Sequence, residues 1–197
     1  MTGVQTCALP DLLIEQLNGA ALDFPEASES LGLAPAVAGV GQVVKAARYP
    51  EWMDAAHVWG LFVPLTGEAL ADAAAPAPLI PFTAVHELTH LAGLADEGAA
   101  NVAAWRRCVE AGGAFADSAR LWALRYAMGL LRQTDGDAWA KAGAKMEGPL
   151  ARTFQQCGGE IVPGDDRPPA LPGLSLGKGD YGALVGYLAG KISGIKI

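Results

Sequence analysis

The stretch HELTHLAGLADEGAAN, residues 86–101, constrains the fold more than any other part of the chain. His86 and His90, two of only three histidines present, stand four residues apart. On a helix that spacing puts both imidazoles on one face, about 6 Å apart at Cβ, where they can address a single ion. Glu87 projects beside that face, in reach of a water polarised by the ion. Thr83 is a candidate N-cap for this helix, and Gly93 is a candidate stop, because glycine accepts the left-handed conformation found just past helix ends. Asp96 then suits the N-cap of a second helix running to Gly112-Gly113. Such a reversal turns Glu97 back towards the imidazoles, with Asn101 one turn later on the same face.

Catalytic zinc takes three protein ligands and keeps a fourth position for water. His86, His90 and Glu97 have the ligand types, Glu87 the type of a general base, and Asn101 the type that hydrogen-bonds a ligand from behind and fixes its orientation. An HExxH match alone arises by chance in many proteins. Here it sits in an apolar helical pattern of a histidine-poor chain, with a breaker glycine and a correctly placed acid after it.

The remainder reads as mainly α-helical, with at most a short strand or extended segment before the HExxH helix. Leu12, Leu13, Ile14 and Leu17 mark a helix over 11–22, and a second apolar stretch, 34–48, carries Gly39 and Gly41 against its helicity. Residues 57–70 have the content of one extended segment closed by Pro64 and Gly67, and 71–81 reads as an extended Ala-Pro linker. A core helix covers 115–133, and a further one from about 137 to 157 is interrupted at Gly148-Pro149. Residues 157–179 are Gly/Pro-rich loop, and an amphipathic helix closes the chain from Asp180 to about Ser193.

A length of 197 residues fits one domain. The formal charge of −7, with no basic cluster, argues against a nucleic-acid partner, and no apolar run is long enough to span a membrane. The opening TGVQTCALP matches one reading frame of a common sequencing adapter, so residues 1–10 read as non-native and 11–197 as an N-terminally truncated domain cut at a contig end. Cys108 and Cys157 suit either a disulfide in an exported domain or buried thiols in a reducing compartment.

Over about residues 50–190 the chain resembles the bacterial domain-of-unknown-function 3810 family, whose motif is similar to HELAHxxGxxxExxAN. The segment PLTGEALADAAAPAPLIPFTAVHELTH resembles that family's PFTGEA-like lead into a PFT turn, and GKGDYGALVGYL resembles its later part. The paired HExxH and ExxAN blocks also look like those of gluzincin metallopeptidases. The resemblance implies a zincin-like, mostly helical fold. It implies Zn2+ on His86, His90 and Glu97, with Glu87 as base and Asn101 in support. It also implies membrane attachment through N-terminal helices outside this chain, and the extracytoplasmic side is the expected one for the domain. Ala99 stands where the family tends to carry a second acid, so any role of that acid is absent here.

Two functions follow as expectations. One is a zinc-dependent peptidase or amide hydrolase acting on a peptide or protein. The other is a non-catalytic module that keeps the metal as a structural pin of a membrane-anchored assembly. Lesser candidates each have two readings: Glu68 as a cleft carboxylate or an exposed one, and Tyr181 as an oxyanion donor or a packing residue. His57 reads as structural, Asp165-Asp166 as a solvated turn, and Cys108 as buried.

Overall fold

The computed structural model describes residues 3–48, 53, 58–159 and 180–192. In chain order, α1 (Gly3–Asn18) and α2 (Ala27–Ala38) lead to β1 (Val44–Ala46), β2 (Gly60–Val63) and β3 (Glu68–Ala71). A 3-10 turn (Ala77–Leu79) then opens α3 (Ile80–Leu91), followed by α4 (Glu97–Ala111), α5 (Gly113–Thr134), α6 (Gly136–Gly143), α7 (Gly148–Gln156) and α8 (Asp180–Ile192). The fold is mainly helical, and none of the described helices is long and apolar enough to cross a membrane.

The helix expected over 11–22 begins earlier, at Gly3, and ends at Asn18. Its Leu9, Leu13, Ile14 and Leu17 are buried, while Leu12 faces outward. The stretch 34–48 is not one helix. Gly39 ends α2 with φ 70°, and Val44–Ala46 pair in parallel with Glu68–Ala71 through the register Val44↔Ala69. The single extended segment expected over 57–70 is two strands: β2 runs antiparallel to β3, Gly60 facing Ala71 and Val63 facing Glu68, so that the sheet order is β1-β3-β2. The helix expected from about 137 to 157 breaks over residues 144–147, and Pro149 falls in the first turn of α7, where its missing N–H costs nothing. Residues 160–179 of the stretch expected as loop, with Asp165-Asp166, and His57 lie outside the described residues, as does the side chain of Tyr181.

The core runs from the α1 and α2 faces through α3 to α5. Leu121, Leu124, Met128 and Leu131 of α5 are buried, as are Phe154 of α7 and Leu184, Val185 and Leu188 of α8. Each such side chain contributes roughly 1.5–3 kcal/mol by leaving water. α3 is enclosed by α2, α4, α5 and the sheet, and Ile80, Phe82, Ala84, Val85 and Leu88 are all buried. Cys108 and Cys157 are free, buried thiols. Burial raises both, Cys157 to about 11, so neither is a ready nucleophile at neutral pH.

Candidate metal centre

The start of α3 is fixed from a distance. Thr83, read from the sequence as an N-cap, lies inside the helix, and its hydroxyl donates to Leu79 O at 2.8 Å. The capping partner instead comes from α5: Phe82 N–H donates to Ser118 Oγ at 3.1 Å, and Trp122 Nε1–H donates to Leu79 O, also at 3.1 Å. One free N–H of the first turn and the Trp122 indole N–H are thereby satisfied in the interior, where leaving them bare would be costly. α5 thus sets the depth of α3 and hence of its histidines.

At the other end the chain reverses as the glycine signal implies. Gly93 has φ 103° and donates to His90 O at 2.9 Å, while Leu94 N–H donates to Thr89 O at 3.2 Å, the paired bonds of a Schellman stop. Asp96 caps α4, its carboxylate accepting from Ala99 N–H at 2.7 Å. Glu97 therefore opens α4 facing the imidazoles.

The three expected ligands meet. His86 Nε2 and His90 Nε2 are 3.0 Å apart; Glu97 Oε2 stands 3.2 Å from the first and Glu97 Oε1 stands 3.4 Å from the second. Tetrahedral zinc with bonds of about 2.0–2.1 Å separates its ligand atoms by about 3.3–3.4 Å. The Glu97 carboxylate turns one oxygen towards each ring, so both imidazoles and the carboxylate converge in the range such a site requires. His86, His90 and Glu97 can hold a metal ion, their ligand atoms all lying within 4.8 Å of one another.

The His90 tautomer agrees with that use. His90 Nδ1 lies 2.6 Å from Leu94 O, a pure acceptor, so Nδ1 carries the proton and Nε2 keeps a lone pair directed at the cluster. Two imidazole nitrogens and a carboxylate at this range repel one another unless a proton or a cation lies between them. His86 Nδ1 is buried and has no hydrogen-bond partner, although Asn101, itself buried, stands by the ring and makes the smallest of the contributions favouring its protonated form. Burial is the largest influence on His86 and lowers its pKa, with Glu97 opposing. The His86 hydrogen bond dominates at Glu97 and holds its pKa below the ordinary carboxylate range.

Glu87 sits beside this cluster with 6% exposure. Burial and the Glu97 charge push its pKa up to about 8, against a backbone N–H of Phe62 that favours the ionised form. Phe62 also stacks on His90 with ring centroids 6.4 Å apart, and Phe82 leans on His86 at 6.2 Å. Phe62, Gly60 and the Leu94 carbonyl are site residues that the spacing argument misses. A glycine opening an apolar β-like run was the available signal, since glycine in a strand often marks close approach. Glu68 is not brought to the site: it pairs with Lys45 at 2.7 Å, which lowers its pKa.

The profile of a family described as protein of unknown function (DUF3810) matches residues 21–156. No curated protein and no solved structure matches the chain.

Proposed function

The chain belongs to the DUF3810 family, whose description carries no activity, and we propose from its site that it is a zinc-dependent peptidase or related amide hydrolase. Two imidazoles and one carboxylate favour zinc over magnesium or calcium, whose sites are built from oxygen donors. When bound, zinc supplies Lewis acidity and brings a coordinated water to a pKa of about 7. His86 Nε2, His90 Nε2 and the Glu97 carboxylate would hold it, with the Leu94 carbonyl fixing the His90 ring. Ionised when a cation sits beside it, Glu87 would take a proton from the attacking water and return it to the leaving amine. Three protein ligands are the number that catalytic zinc sites use, with the fourth position kept for water.

The observation that carries this reading is the convergence of His86, His90 and Glu97 at 3.0–3.4 Å with the buried Glu87 at its side. Purified protein should hold about one zinc and cleave members of a peptide library, with both properties lost to a chelator. Glu87→Gln should keep the zinc and lose the cleavage; His86→Ala should lose both. Zinc bound in parent and Glu87→Gln alike, with no cleavage by either, would identify the metal as a structural pin. We also propose, on the family resemblance, that the domain belongs to a bacterial membrane-anchored protein and faces the extracytoplasmic side. Recovery of the full-length gene product in the soluble fraction would refute the anchoring.

A further inference from the structure

Gly60 opens β2 with an ordinary strand backbone, so its lack of a side chain answers no demand of φ. The demand is for space. A Cβ at Gly60 would stand 2.7 Å from Thr83 Cγ2 and 2.8 Å from Glu87 Cδ, and would press on Glu87 Oε1 as well. Carbon atoms in contact settle about 3.5–4.0 Å apart, so a methyl group and the present position of Glu87 exclude one another. Thr83 and Glu87 lie four apart on α3 and share the face that β2 covers, and Phe62, two residues along the same strand, donates its N–H to the Glu87 carboxylate. Helix geometry fixes where the Glu87 stem leaves α3. It does not fix where three rotatable bonds carry the carboxylate.

We propose that β2 is the seat of this acid and that Gly60 is a positioning residue, its missing side chain admitting the Glu87 carboxylate beneath the strand while Phe62 N–H holds it there. The contact itself is independent of any activity; its kinetic consequence rests on the hydrolase reading. A methyl at position 60 moves the carboxylate by about 1 Å, a displacement that costs on the order of 100-fold in rate when the group transfers a proton.

Stability of the metal-free protein supplies the first test. Gly60→Ala should lower Tm by at least about 4 °C. In a Thr83→Ser/Glu87→Ala background, where both opposing groups are gone, the same substitution should change Tm by less than about 1 °C. Equal losses in the two backgrounds overturn the proposal, as does failure to fold in both; failure confined to the background with Thr83 and Glu87 intact supports it. Kinetics supply the second test. Gly60→Ala should keep the parent's zinc content and KM and lose about 100-fold in kcat. A parental kcat in Gly60→Ala overturns the seat, whereas a parent that cleaves nothing overturns only the hydrolase reading and leaves the Tm comparison to decide on Gly60.

Discussion

Replacing Glu87 by Gln should stabilise the metal-free protein, and the gain should depend on pH in a defined way. The carboxyl has a pKa of about 8 in the fold against 4.5 for the free group. A folded pKa above the unfolded one means that the carboxyl favours the folded state only while it is protonated. That contribution is complete below about pH 4.5 and is lost as pH rises through about 8. The 3.5-unit gap corresponds to roughly 5 kcal/mol above pH 8, roughly 3 kcal/mol at pH 7 and almost nothing at pH 4. Gln has the same shape, cannot ionise, and can still accept the Phe62 N–H, so it escapes the loss. Urea unfolding of parent and variant in a chelator, at pH 4, 5.5, 7 and 8.5, measures the difference directly. The curves should coincide at pH 4 and separate progressively towards pH 8.5. Saturating zinc should narrow the separation, because a cation beside Glu87 favours its ionised form. A difference that stays flat across this range, or a Gln variant less stable than the parent at pH 7, would refute the burial argument for Glu87.

Asp96→Ala removes the bond to Ala99 N–H and should cost about 1 kcal/mol, or about 2–4 °C in Tm, by thermal unfolding. Because the same turn delivers Glu97, zinc titration should record weaker binding, whereas Glu68→Ala, which breaks the surface contacts with Lys45 and Thr66, should leave binding unchanged. Asn101→Ala should weaken zinc by about 10–100-fold in the same titration while leaving one site per chain. Phe154→Ala, at a side chain 1% exposed, should cost about 3–5 kcal/mol in urea unfolding without altering zinc stoichiometry.

The sequence by itself determined the parts of this protein governed by neighbours along the chain. The i, i+4 spacing of His86 and His90, the stop at Gly93, the cap at Asp96 and the inward turn of Glu97 all follow from residues within one reversal, where backbone geometry leaves few alternatives. The amphipathic helices α5 and α8 were legible for the same reason. Tertiary structure alone decided what depends on partners far along the chain. β1 is three residues long and exists because β3 accepts it, so although Gly39 marks the end of the helix before it, no local pattern identifies Val44–Ala46 as a strand. Thr83 ceased to be a cap once Ser118 and Trp122, 36 and 43 residues from their partners, fixed the start of α3. Glu68 kept two readings, cleft or exposed, until the β1–β3 pairing set it beside Lys45. The environment of Glu87 belongs to the same class: its type and place on the helix are local, but the burial that holds its proton comes from the fold around it, and Gly60 and Phe62 reach it only through the β2–β3 pairing. Short-range geometry is written in spacing, whereas desolvation and close approach are properties of whichever distant surface the fold brings against a residue.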